Sequence, residues 1–348
     1  MLHRLLRWLP AVIAPVVVAG AVAVPLMASA SSPDLTPKTA QQVLELVAKA
    51  KDVSGFTGTV QQTSNLGLPS IPSTGAGTDT DTASALDLIS GTHTARVEVS
   101  GASKTRIAVL DSSAERDVVR DGRSVWLWSS KTNTATHVVA TGTAKPDAEA
   151  PTTTPAALAE ELLTKVDGTT TVSVDSAQTV AGHDAYTLVL TPKTSATTIG
   201  SVRIAVDATT GLPLDVQVIA RGASSPAFET GFTDLSYAVP AASRFAFTPP
   251  SDAKVTTKTL KPGTRSKAEA PSAAAKPTVT GSDWSSIVTV PAADVPASIS
   301  SNPTVSRLTT AADGGRVLHT ALINVLLTAD GRVLAGAVPV SSLESAAG

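Results

Sequence analysis

From residue 92 onward, short segments rich in β-branched and aromatic residues follow one another, each closed by a polar or glycine-containing turn. "HTARVEVS", "KTRIAVLD", "RDVVRD", "SVWLWSS" and "ATHVVAT" come first, and Asp121-Gly122 is the clearest hairpin signal among them. "TTVSVDSAQTV", "AYTLVLTPK", "GSVRIAVDATTGLPLDVQVIA" and "AFETGFTDLSYA" continue the run, and "RFAFTPPSDAKV" closes the region. Two helices are inserted. Val43, Leu44, Leu46, Val47, Ala50 and Val53 recur at helical spacing, with Thr36 and Pro37 placed as N-cap and first position and Gly55 as the stop. Residues 154–168, "TPAALAEELLTKVDG", read as the second helix. The pattern predicts an α+β fold in which one large antiparallel sheet is covered by helices.

The N-terminus supplies a destination. His3, Arg4 and Arg7 precede an apolar run from Trp8 to Met27, and Ala28-Ser29-Ala30 offers a small-residue cleavage site. An export signal cleaved after Ala30 is the leading expectation, and a retained membrane anchor is the alternative. The chain has no cysteine, which excludes disulfides, thiol catalysis, cysteine-ligated metals and acylation of an N-terminal cysteine. With 27 Lys and Arg against 29 Asp and Glu, and no long basic run, nucleic acid is not an expected partner.

The expected layout is a signal at 1–30, a sheet domain at 31–258, a Lys-, Pro-, Ala- and Ser-rich linker at 259–280, and a small C-terminal module at 281–348. That module is read as an α/β or β-hairpin unit, with two apolar strands joined at Ala329-Asp330-Gly331. Residues 65–90 form a long Gly-, Pro-, Ser- and Thr-rich loop with an apolar tip at Leu66, Leu68 and Ile71, a lid or an ornament.

No nucleophile elbow, phosphate loop or dinucleotide fingerprint occurs. His3, His93, His137, His183 and His319 are scattered, and the His183-Asp184 doublet follows Gly182 and reads as a turn. No catalytic residue, metal or cofactor is expected, so a binder or carrier is favoured over an enzyme. The scarce large rings then stand out. Trp126 and Trp128 in "DGRSVWLWSS" share one side of a strand whose other side carries Val125 and Leu127. They face either covered protein or a cavity, since core and pocket lining share composition.

Four stretches carry a family resemblance: "AQQVLELVAKAKDVSGFTGTVQQT", "SKTRIAVLD" with "VVRDGRSVWLWSSKTNTATHV", "GHDAYTLVLTPK" with "GSVRIAVDATTGLPLDVQV", and "SRFAFTPPSDAKV". In this order, over roughly residues 37–256, they resemble the LolA and LolB class of lipoprotein carriers, a class that includes RseB- or MucB-type regulators and lipid carriers of the LprG and LppX type. The resemblance implies an open antiparallel β half-barrel wrapped around covering helices, with an apolar groove for acyl chains. It implies a non-enzymatic, extracytoplasmic carrier of a lipid or acylated lipoprotein. The alternative it implies is an envelope-stress sensor that binds a membrane partner such as an anti-sigma factor. Candidates to line the groove are Leu44 and Val47 of the first helix, Ile107, Val109, Trp126 and Trp128 of the sheet, and Leu158 and Leu162 of the second helix. Arg106 occupies the place of the family's lid-holding arginine, although Ser103 and Ala108 replace the proline and tryptophan usual around it. Read from its surroundings alone, Arg106 is a surface cation paired with Glu98 or Asp111.

Overall fold

The computed structural model describes residues 33–50, 53–68, 91–110, 115–141, 154–163, 168–260, 277–295 and 303–348. The expected export signal, the loop from 69 to 90 and most of the expected linker lie outside these residues.

Twelve strands form one sheet: β1 (Gly55–Ser64), β2 (Gly91–Ser100), β3 (Lys104–Leu110), β4 (Glu115–Asp121), β5 (Ser124–Ser129), β6 (Thr134–Ala140), β7 (Thr170–Val180), β8 (His183–Pro192), β9 (Ile199–Asp207), β10 (Pro213–Ala220), β11 (Pro226–Ser236) and β12 (Lys254–Leu260). Their order is β12-β6-β5-β4-β3-β2-β1-β11-β10-β9-β8-β7, an open sheet in which two antiparallel meanders meet along the β1–β11 seam. Tight turns set the hairpins. Gly122 follows Asp121 at φ +59°, and Ala181-Gly182 takes two successive positive φ values between β7 and β8.

The one parallel pair, β6 with β12, follows from how the chain gets there. β11 ends in the middle of the sheet, and parallel neighbours need a crossover, which residues 237–253 provide as a strap over β2–β4. The closing segment "RFAFTPPSDAKV" is divided in two. Its first half is a 3-10 turn at Ala242–Phe245 followed by Pro249-Pro250, and only Lys254 onward enters a ladder. Two prolines cannot donate to a sheet, so the segment runs across it instead. Phe245, at 2 % exposure, and the Arg244–Glu98 ion pair pin the strap down.

Helix α1 (Ala40–Lys49) begins three residues later than its sequence suggests. Thr39 is the N-cap: its hydroxyl accepts from the Gln42 N–H while the Gln42 side chain accepts from the Thr39 N–H. This reciprocal box satisfies two orphan donors at once, which the Thr36-Pro37 start could not. Helix α2 spans Pro155–Leu163. Both helices pack on one face of β8–β11, where Val43, Leu158 and Ala159 join Leu188, Ile204, Val216 and Phe228 in the larger core. A second cluster continues the interior through Phe56, Val60, Ala95, Val97, Ile107, Val109 and Phe232.

The C-terminal residues build a separate six-stranded antiparallel sheet from β13 (Thr278–Thr280), β14 (Ile287–Val290), β15 (Thr310–Ala312), β16 (Gly315–Leu318), β17 (Asn324–Thr328) and β18 (Val333–Gly336). Helices α3 (Pro303–Leu308) and α4 (Val340–Ala347) accompany it, and Leu326, Leu334 and Leu343 form its centre. It is locked to the large sheet by real contacts. The Thr198 N–H and Thr197 hydroxyl both donate to the Ala337 carbonyl, Trp284 Nε1 donates to Thr170 Oγ1 at 2.8 Å, and Leu322 enters the large core.

The β9–β10 turn abuts α1 through Gly211, at φ +77°, where a Cβ would lie 2.0 Å from the Leu46 carbonyl oxygen. Gly211→Ala therefore incurs both a left-handed backbone penalty and a clash. It is expected to lower the melting temperature by several degrees, measured by circular dichroism.

Candidate ligand-binding face

Side chains of paired residues stand on the same face of a sheet, so the register sorts the strands into two surfaces. Leu188, Ile204, Val216, Thr230, Gln62 and His93 are successive cross-strand partners and form one row on the helix-covered face. The next row on that face runs Leu190, Val202, Val218, Phe228 and Ser64. From β8 to β10 both rows are purely aliphatic. Helix α1 rests on them through apolar contacts, the Tyr186 hydroxyl donating to the Thr36 carbonyl at 2.8 Å, and Lys38 Nζ 5.7 Å from the Tyr186 ring centre.

The candidates read from the sequence divide between the two surfaces. Ile107 and Val109 pair with Val97 and Ala95 and lie on the helix-covered face, where Leu158 is buried and Leu44, Val47 and Leu162 are half-buried against the core. Trp126 and Trp128 pair with Val119 and Asp117 and point the other way. Their row partners are Arg106 and Ala108, so a groove lined by Ile107 and Val109 does not include the tryptophans. The pair looks at the strap. Phe247 lies 5.5 Å from Trp126 and 6.2 Å from Trp128 between ring centres, and His137 stacks on Trp126 at 4.1 Å.

Arg106 stands on this strap face too, and its expected partners are corrected. Its guanidinium donates to Asp117 Oδ2 at 2.6 Å, because Arg244 of the strap already holds Glu98 Oε1 at 2.5 Å; Asp111 lies outside the described residues. Arg96, Glu98, Arg106, Glu115 and Arg244 line a shallow charged hollow there. Burial, helped by the neighbouring Asp117 charge, raises the Glu115 carboxyl above its ordinary range.

The His183-Asp184 doublet is split. His183 Nδ1 lies 3.6 Å from Asp207 Oδ2, whereas Asp184 accepts from the Thr179 hydroxyl. Asp207 also receives the Thr209 and Thr210 N–H groups and the Tyr237 hydroxyl, a knot that closes the β9–β10 turn. Among the described residues no group of three or more His, Asp or Glu side chains is placed to hold a metal ion.

The residues that sequence reasoning missed are those of β8–β10, which supply most of the aliphatic face. Their alternation is visible in "AYTLVLTP", but which alternate set meets the helices is decided by pairing. On the opposite face of β10, Asp215 is 6 % exposed and fills the space left by Gly231, whose Cβ would sit 2.4 Å from its Oδ1. Burial and the adjacent Glu229 push the Asp215 carboxyl up to about 7. A raised acid is bound more tightly to its proton in the folded state, so this group lowers stability as pH rises from about 4 to about 7. Asp215→Asn is expected to raise the melting temperature at pH 8 and leave it unchanged at pH 3.5, in paired thermal melts.

Residues 103–248 match the sequence model of the family described as outer membrane lipoprotein carrier protein LolA. Among solved structures the chain is similar to a Pseudomonas aeruginosa MucA/MucB complex structure, at 18 % identity and a TM-score of 0.45, over 88 % of this chain and 96 % of that one. It is similar to MucB crystallised alone at 17 % identity and a TM-score of 0.42, over 88 % and 96 %. For the LolA superfamily protein NE2245 from Nitrosomonas europaea the values are 12 % and 0.24, over 61 % and 99 %. No curated protein matches. The family match runs from the start of β3 into the strap, and over those residues the chain is similar to the LolA family.

Proposed function

We propose that the protein is a non-enzymatic, extracytoplasmic carrier that holds the acyl chains of a lipid or lipoprotein against the helix-covered face of its large sheet. The observation that carries this reading is the attachment of α1, which rests on aliphatic rows by apolar contact and presents half-buried Leu44 and Val47 at its margin. An acyl chain offers the same kind of contact and gains about 0.8 kcal/mol for each CH₂ removed from water. It can therefore take the place of one helix face without breaking an ion-pair network. Leu44, Val47, Leu158 and Leu162 line the groove from above in this reading, with Ile107 and Val109 farther along the same face. Trp126 and Trp128 pack on Phe247 of the strap instead, and Arg106 pairs with Asp117 on that same face.

A second reading, a sensor that contacts a membrane partner such as an anti-sigma factor, draws on the six-stranded module locked to the sheet through Trp284 and Thr198. Native mass spectrometry with organic extraction separates the two. Protein purified without detergent is expected to carry close to one acylated molecule per chain, and a folded Leu44→Asp/Val47→Asp variant to lose it. Protein that comes out empty and takes up no fluorescent fatty acid overturns the carrier reading in favour of the sensor.

A further inference from the structure

The helix-covered face is aliphatic from β8 to β10 and then changes character within a single row. Past Val216 the next cross-strand partners are Thr230 on β11, Gln62 on β1 and His93 on β2, with Ser64 one position along β1 from Gln62 on the same face. All four are buried, at 0 %, 4 %, 5 % and 5 % exposure for Thr230, Gln62, His93 and Ser64. Three of their polar atoms, Gln62 Nε2, Ser64 Oγ and Thr230 Oγ1, have no hydrogen-bond partner among the described residues. A buried polar group without a partner costs about 1–3 kcal/mol, so three side by side in an otherwise apolar surface demand an occupant.

From these atoms we infer that Gln62, Ser64 and Thr230 form a subsite for the ester carbonyls of the bound acyl chains, an inference that rests on the carrier reading. Each of the three can donate a hydrogen bond: the amide NH₂ of Gln62 and the hydroxyls of Ser64 and Thr230. Three donors require acceptor oxygens. The charge on the same face agrees. Register places Arg116, Arg120, Lys254 and Lys258 on it, while Glu98, Asp117, Asp175, Asp207, Asp215, Glu229 and Asp234 all fall on the opposite one. Among the described strands, only Asp184 at an exposed hairpin tip places a carboxylate on the helix-covered side. An acceptor-rich group thus meets no repulsion there. The aliphatic rows take the chains and the polar end of the row takes the linkage, which sets the direction in which a lipid lies.

The test compares a pyrene-labelled diacylglycerol with its dialkyl ether analogue, which has the same chains and lacks the carbonyls. The full-length protein is expected to bind the ester at least about tenfold more tightly, the equivalent of roughly one or two neutral hydrogen bonds. Gln62→Leu/Thr230→Val is expected to reduce ester affinity to the ether level, leave ether affinity unchanged, and hold or raise the melting temperature. An unchanged ester-to-ether ratio in that variant overturns the subsite while leaving the carrier reading intact. A marked fall in its melting temperature also overturns it, since it would show that these groups are partnered within the fold. Failure of the unmodified protein to bind either lipid overturns the carrier reading and the subsite with it. A diacylglyceryl-cysteinyl peptide as third probe distinguishes the source of the esters: tighter binding than free diacylglycerol assigns them to lipoprotein, equal binding to lipid.

Discussion

The division of the large sheet into two unlike surfaces is the constraint on which the rest of the molecule depends. Pleating sends alternate residues to opposite sides, so each strand must satisfy two environments at once. In β9, Val202, Ile204 and Val206 go to the helices while Arg203 goes to the other side and pairs with Asp175. In β3, Ile107 and Val109 join the core and Arg106 goes to Asp117. A one-residue slip anywhere along these ladders would exchange aliphatic and charged sets. The register is thereby fixed by chemistry on both sides, and an apolar receiving surface is a by-product of the same rule.

The strap shows how the second surface is finished. A wide open sheet whose far face carried Trp126, Trp128 and Val119 would leave a large apolar area in water. Residues 237–253 cover it with Phe245 and Phe247 and then add β12 at the edge beyond β6. Glu98, buried under the strap, meets Arg244 rather than solvent. Ring packing, the Arg244–Glu98 pair and side-chain hydrogen bonds of Tyr237 with Asp207 and of Asn133 with Asp252 therefore hold a segment that enters a ladder only at Lys254.

Much of this architecture was legible in the sequence, because strand alternation and turn chemistry are local. The Asp121-Gly122 hairpin, both helices and the run of strands follow from residues close together in the chain. The start of α1 was misplaced because Thr36-Pro37 and Thr39 offer competing signals, and the reciprocal bond with Gln42 decides between them. The facing of Trp126 and Trp128 was not legible: alternation says that they share a side, and only pairing with Asp117 and Val119 says which. The partner of Arg106 was missed for the same reason, since Asp117 comes alongside through the β3–β4 register. The polar end of the helix-covered row is invisible in sequence because Gln62 and Thr230 belong to strands at opposite ends of the domain.

That last pairing bears on how the chain reaches its native state. The β2–β6 and β7–β11 meanders are built from neighbours in sequence, whereas the seam between them joins Val60 to Phe232. Closing so long a loop is entropically slow compared with forming either meander. Until it closes, β1 and β11 are both unpaired edges flanked by apolar surface, the arrangement most prone to joining the wrong partner. A chain synthesised in the order of its sequence displays the β1 edge until everything up to residue 236 has followed, so the first meander must wait for the whole of the second before its seam can close.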